Sequence, residues 1–252
     1  MEIFYMLKEQ EVVKQNLNTP SIAVYDEDFR LKLEGKKGIL HPSEDLIRLT
    51  VRGNIKAKNM NESALDYGVG DGRHVNYLNS LGYHVTGADV APASVEMIKN
   101  NFKNNTRFTA TLLENTPQLP FADNHFSLIL AWEVLHWLGS PEFFEKIMHE
   151  FSRILQPGGM ILLTMPTENH YLKRYSLEIG KSTYLCKTNM RMDCVYYSPN
   201  LFTLNYLFEN EKNYHIQQIL RYEYGSTSTE PSLEERMSFY GFCLKNNKAL
   251  AK

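Results

Sequence analysis

From Ser63 to Met165 short apolar runs alternate with amphipathic stretches, so the hydrophobic period switches repeatedly between that of a strand and that of a helix. Ala64-Leu65-Asp66-Tyr67 is too short for a helix and reads as a buried strand. Gly68 to Gly72 follows as a tight loop. Arg73 to Leu81 reads as a helix, with Gly82 placed just past its end. Tyr83 to Ala88 predicts a second strand, closed by Asp89. Ala91 to Phe102 predicts a helix carrying Val95, Ile98 and Phe102 on one stripe. Arg107 to Leu113 and Phe126 to Trp132 read as the third and fourth strands. Pro141 to Leu155 is the clearest helix: Ser140 suits the N-cap, Pro141 the first turn, and Phe144, Ile147, Met148 and Phe151 keep helical spacing. Pro157-Gly158-Gly159 ends it, and Met160 to Met165 reads as a fifth buried strand. Strands alternating with helices predict a parallel sheet built from βαβ units.

Outside this region the pattern is less regular. Residues 1–60 are polar and mixed, with a helix beginning near Pro42-Ser43-Glu44 and running through Leu46, Ile47 and Leu49. Thr167 to Tyr197 is long, rich in tyrosine and weakly periodic. Ser198-Pro199 opens a helix through Leu201, Leu204 and Leu207. His215 to Tyr224 and Arg236 to Leu244 read as strands around the polar loop from Gly225 to Pro231. The second is apolar on both faces, as suits a sheet covered on both sides.

The 252 residues carry a net charge of −2, with 43% hydrophobic and 22% charged positions, which suits a globular domain with a full core. Balanced charge gives no electrostatic footprint for nucleic acid. Three cysteines form neither a disulfide framework nor a C-x-x-C metal pair, and the eight histidines lack metal-type spacing, so no metal is expected. The first residues lack a signal-peptide pattern and no apolar run approaches membrane-spanning length; a cytoplasmic protein without a membrane partner is expected. The chain is aromatic in an unusual way, with 13 Phe and 15 Tyr against two Trp.

In an open parallel sheet, ligands bind at the carboxyl ends of the strands. Asp66-Tyr67-Gly68-Val69-Gly70-Asp71-Gly72 lies at such an end, where glycines admit positive φ and close backbone approach. Asp89 ends the next strand, where a carboxylate can accept from both hydroxyls of a ribose. The dinucleotide fingerprint fails, because Arg73 and Val75 stand where its third glycine is required. The P-loop fails as well, since no Gly-Lys-Ser/Thr follows.

Asp-x-Gly-x-Gly-x-Gly resembles the first motif of class I S-adenosylmethionine-dependent methyltransferases. Three later segments resemble the same class in the same order: Leu119-Pro120-Phe121-Ala122-Asp123-Asn124-His125-Phe126, Val134-Leu135-His136-Trp137-Leu138 and Arg153-Ile154-Leu155-Gln156-Pro157-Gly158-Gly159. The resemblance implies an α/β, Rossmann-like, doubly wound seven-stranded sheet, mostly parallel with an antiparallel last strand. It implies a single domain: a helical cap at 1–60, a cofactor-binding core at 61–166, a substrate lid at 167–197, and a helix with a strand pair at 198–252. It implies S-adenosylmethionine as cofactor and S-adenosylhomocysteine as product. Asp66, Gly68, Gly70 and Gly72 would hold the methionine end, Asp89 the ribose, and Val90 would sit beside the adenine. Asn115 stands where the family often has an acidic residue contacting the adenine amino group. Ala131 and Trp132 would border the cofactor, and Arg48 would reach its carboxylate.

Such a cofactor brings an activated methyl, so the protein chiefly aligns the acceptor and excludes water. A hydroxyl acceptor gains from a general base. His136, after the fourth strand, is the first candidate and His170 the second; packing is the alternative role for His136. Tyr171, Tyr175, Tyr184, Tyr196 and Tyr197 make a folded lid the expected form of 167–197, with packing on the sheet or a dimer interface as the alternative. Lys173, Arg174, Lys181, Lys187 and Arg191 give it a basic lean. The expected acceptor is a small molecule, such as a sugar-like or metabolite hydroxyl, rather than nucleic acid. Protein or RNA acceptors, and a silent cofactor-binding protein, are the alternatives. Monomer and homodimer both remain open.

Overall fold

The computed structural model describes residues 19–33, 41–186, 194–211, 214–225 and 236–247. Expectations that fall on the remainder, including much of the N-terminal cap, Lys187, Arg191 and the loop residues 226–231, lie outside the described residues.

Seven strands form one sheet: β1 (Ser63–Tyr67), β2 (His84–Asp89), β3 (Phe108–Leu112), β4 (Phe126–Ala131), β5 (Leu155–Pro166), β9 (Tyr214–Gly225) and β10 (Arg236–Asn246). Their order is β3-β2-β1-β4-β5-β10-β9. The first five pair in parallel, with Asp66 opposite both Gly87 and Leu130. β10 runs antiparallel to both neighbours, as expected of the last strand. Crossover connections place α3 (Val75–Ser80) and α4 (Pro92–Asn101) beside the first half, and α5 (Pro141–Ile154) beside the second. α1 (Thr19–Leu33) and α2 (Glu44–Arg52) precede them, and α7 (Leu201–Glu211) precedes β9.

Strand residues alternate between two apolar layers. Leu128, Leu130 and Leu162 pack with Leu46, Leu49, Val75 and Leu78 on one face. Ile129, Ala131, Ile161 and Leu163 pack with Phe144, Ile147 and Phe151 on the other. The sheet is thus buried on both faces, which is why its strands read as nearly continuous apolar runs.

Three boundaries differ from the sequence reading for local reasons. α3 begins at Val75 because Arg73 and His74 belong to the preceding turn, where Val75 N donates to Gly72 O at 3.1 Å. β5 begins at Leu155, which already pairs with Phe126 before the register shifts to Leu128 opposite Met160. Pro157-Gly158-Gly159 is therefore an irregularity inside the strand, with Gly158 at φ 73°. The tyrosine-rich stretch holds a short helix, α6 (Tyr171–Arg174), and a second sheet of β6 (Ser176–Gly180), β7 (Thr183–Cys186) and β8 (Val195–Tyr197). These strands are only three to five residues long, too few for a clear period of two. No helix among the described residues is long and apolar enough to cross a membrane.

Candidate functional site

The glycine loop is bound to the end of β2 through its own backbone. Gly68 N and Val69 N both donate to Ala88 O, at 2.8 and 3.1 Å. Gly68 adopts φ 70°, and a Cβ there would run into Val134, so the loop lies directly against the chain that leaves β4. Gly70 N donates to Asp89 Oδ2 at 2.9 Å, and Ala91 N donates to Asp89 Oδ1 at 3.0 Å. Asp89 is therefore clamped between the loop and the first turn of α4. Burial raises its carboxyl pKa above the ordinary carboxylate range, against the pull of the Ala91 and Gly70 N–H groups. Ser94 and the Val90 N–H draw the carboxyl down as well, so the clamp holds it from several sides at the edge of the cavity.

A cavity of about 350 Å³ opens over this clamp. Gly68, Val69 and Gly70 form one wall, and Asp89 with Val90 the end of β2. Leu113 and Thr116 border it beyond β3, and Trp132, Glu133 and Val134 beyond β4. α1 roofs it with Ile22, Tyr25, Phe29 and Lys32, spaced along one helical face. Trp137, Leu138 and Phe143 add a further apolar wall. Tyr25 meets Trp137 edge to face at 5.7 Å, joining the roof to that wall. An apolar slot, a carboxylate at the end of β2, a close-approach loop and two cations (Lys32 and Arg73) suit a nucleoside bearing an amino-acid tail.

Of the residues singled out from sequence, Gly68, Gly70, Asp89, Val90 and Trp132 line this cavity. Asp66, Gly72 and Ala131 are buried just behind it. Asp66 Oδ2 has no hydrogen-bond partner, and burial pushes its carboxyl up to about 7. A Cβ on Gly72, at φ 83°, would strike the Phe102 ring, so that glycine serves loop packing.

Four other expected residues do not line the cavity. Arg48 stands on α2 and pairs with Glu44 and Asp45, at 2.7 and 3.3 Å, away from the cavity. Asn115 is exposed, and the chain turns so that Leu113 and Thr116 face inward instead. His136 and His170 are buried and do not line the cavity, because the turn Leu135–Leu138 directs His136 toward β10 while Trp137 and Leu138 take the wall. Their rings lie 6.5 Å apart, at 5.7 and 4.8 Å from Phe239. Burial drives the His136 imidazole well below its ordinary pKa, and that of His170 to about 3. His170 Nδ1 accepts from Leu172 N at 3.2 Å, capping α6. The stretch 167–197 supplies no lining residue among those described; the cover comes from α1.

Sequence reasoning missed Arg73 and Glu133. Arg73 Nη2 donates to Glu133 Oε2 at 3.0 Å, and Tyr222 OH to Glu133 Oε1 at 3.3 Å. Glu133 has φ 59°, and its N–H donates to the buried Thr164 Oγ1 at 2.7 Å. The only sequence signal was position: each is a charged residue just beyond a predicted loop or strand end.

Residues 65–163 match the family model described as a methyltransferase domain. An uncharacterized methyltransferase, YodH, of Bacillus subtilis is 31% identical over 106 residues, covering 42% of this chain and 44% of that protein. The demethylmenaquinone methyltransferase of Tropheryma whipplei is 28% identical over 102 residues, covering 40% and 41%. The chain thus matches less than half the length of these curated relatives. A crystal structure of a SAM-dependent methyltransferase from Methanosarcina mazei superimposes with a TM-score of 0.64 at 18% identity, over 78% of this chain and 96% of that one. Over residues 65–163 the chain is thus similar to methyltransferase domains, and it shares the fold of that solved structure.

Proposed function

We propose that this protein binds S-adenosylmethionine in the cavity above Asp89 and transfers its methyl group to a small acceptor with an apolar body. The observation that carries the reading is the clamp: a buried carboxylate at the end of β2, held by Gly70 N and Ala91 N, at the floor of the cavity. The ribose hydroxyls would donate to Asp89, with the adenine between Val90 and Leu113. Arg73, in place of Arg48, and Lys32 are the cations that suit the carboxylate of the methionine end. The bound cofactor supplies a methyl on a sulfonium, already activated for displacement. The chain's own contribution is alignment and the exclusion of water by α1. The aromatic wall of Tyr25, Phe29, Trp137 and Phe143 favours an apolar face on the acceptor over a sugar-like one.

Calorimetry with S-adenosylhomocysteine tests the cofactor site. Asp89→Ala is expected to weaken binding by at least about a hundredfold, the worth of two hydrogen bonds to a charged group. Unchanged affinity in a folded variant rejects the ribose assignment. Incubation with labelled cofactor and separate pools of small metabolites, protein and RNA tests the acceptor; label only in RNA or protein rejects the small-molecule reading. Tight binding without turnover on any pool supports a silent binder instead.

A further inference from the structure

The buried histidines leave the cavity without the proton acceptor that the sequence suggested, and the cavity's own titratable groups narrow the choice. Both oxygens of Asp89 accept backbone N–H groups of the clamp. Asp71 faces Lys32 at 3.6 Å. The Nε2 of His74 is occluded, with the ring set against Trp132. Glu133 is paired as well, to Arg73 and Tyr222, and is set apart by its place and its backbone. It lines the cavity with its side chain 20% exposed, and it stands at the carboxyl end of β4, one residue before the Val134 that touches Gly68. Its backbone holds φ 59°, a left-handed conformation that a glutamate adopts only when its surroundings impose it, and such positions concentrate at functional sites. Three groups hold it: Thr164 of β5 on the backbone N–H, Arg73 of the glycine-loop turn on one carboxylate oxygen and Tyr222 of β9 on the other.

The remaining step is one of position, and it rests on the cofactor reading above. With the ribose on Asp89 and the amino-acid end along Gly68 to Gly70, the reacting end of the cofactor would lie over the carboxyl end of β1. β4 is the neighbour of β1 on the side away from β2, so residue 133 borders that point from the far side. We propose that Glu133 is the carboxylate that faces the transferring methyl: it holds the cationic donor and accepts the proton released by the methyl acceptor. As the acceptor heteroatom's lone pair forms its bond to the methyl carbon, the carbon–sulfur bond breaks with its electron pair remaining on sulfur. The acceptor's N–H or O–H proton passes to a Glu133 oxygen. Arg73 and Tyr222 are positioning residues that fix the carboxylate plane.

The test needs no knowledge of the acceptor. Sinefungin carries an ammonium group where the cofactor carries its methyl, and S-adenosylhomocysteine carries neither that ammonium nor a positive sulfur. Glu133→Gln keeps the shape and an acceptor oxygen while removing the charge. It is expected to weaken sinefungin by at least about tenfold, the worth of one hydrogen bond to a charged group, and to leave S-adenosylhomocysteine within about twofold. Glu133→Asp keeps the charge but shortens its reach, and is expected to lose part of the same preference. Equal losses for both ligands would show that Glu133 only braces Arg73, and overturn the proposal. An unchanged preference in whichever variant folds also overturns it. Failure of the wild-type protein to bind S-adenosylhomocysteine would instead sink the cofactor reading itself.

Discussion

Asp66 illustrates how much of the site depends on single buried groups. Its carboxyl lies behind the glycine loop, where burial outweighs the attraction of Arg73 and, with the charges of Asp89 and Asp71, raises it to about 7. A carboxyl raised above its unfolded value contributes full stability below the unfolded pKa of about 3.8 and loses it as pH rises through about 7. Asp66→Asn is therefore expected to gain stability relative to wild type as pH increases from about 4 to about 7, by up to about 1.4 kcal/mol per unit. Denaturant melts across that range check the sign; a pH-independent difference would reject it. Residues whose position is set by backbone geometry were legible in the sequence. Gly68, Gly70 and Asp89 line the cavity at fixed offsets from a strand end. Arg48 and Arg73 could not be ranked that way, because a long side chain's partner depends on which elements pack around it. Glu44 and Asp45 hold one, and Glu133 the other.

At the scale of elements, α5 shows where the local signals suffice. Ser140 Oγ accepts from Phe143 N at 3.1 Å, Pro141 opens the helix, and the apolar stripe is buried against the sheet. Arg153, quoted as part of a motif, proves structural: it donates to Leu119 O and Phe121 O, at 2.9 and 2.7 Å, and fixes the segment entering β4. α1 is the contrary case. Its cover over the cavity is fastened by Asp26 Oδ1, which accepts from Ala93 N at 2.8 Å and so caps α4 from a distance of 67 residues. That hydrogen bond, with Arg30 beside it, holds the Asp26 carboxyl below its ordinary pKa. Asp26→Ala is expected to cost about 1 kcal/mol, the usual worth of a helix cap, and to speed S-adenosylhomocysteine dissociation several-fold. Stopped-flow fluorescence of the Trp137 wall would report it; an unchanged off-rate means that α1 does not govern exit. No residue pattern within 19–33 announces a contact to residue 93, so the sequence gives that segment no destination.

For the molecule as a whole, the second sheet is joined to the first through a small polar-aromatic seam. Leu172, Cys186, Cys194 and Tyr196 pack together with Trp137 against them, while His136 and His170 lie beside Phe239 of β10. Both imidazoles are held neutral by burial. A histidine lowered in the folded state leaves stability complete above its unfolded pKa of about 6.5, and the stability falls as pH drops toward about 3, because the unfolded chain takes up the proton first. His170→Asn preserves an acceptor for Leu172 N and removes one such titration. It is expected to make the acid limb of the stability profile shallower between about pH 6.5 and about pH 4, by up to about 1.4 kcal/mol per unit. Thermal melts over that range decide it, and an unaltered slope would place the acid sensitivity elsewhere.

What the sequence determined by itself was the order of the elements from Ser63 to Met165, the burial of the sheet on both faces, and the placing of the glycine loop and Asp89 at neighbouring strand ends. Hydrophobic period and turn chemistry are local quantities, and each is written within a few consecutive residues. What only the tertiary structure decided was which side chains reach the cavity. Lys32 and Phe29 arrive from a helix that precedes the sheet, Arg73 and Glu133 meet across 60 residues, and His136 turns inward because Trp137 takes its place. Those outcomes follow from packing between distant segments, where a rotation of one residue along a short turn exchanges a cavity wall for a core.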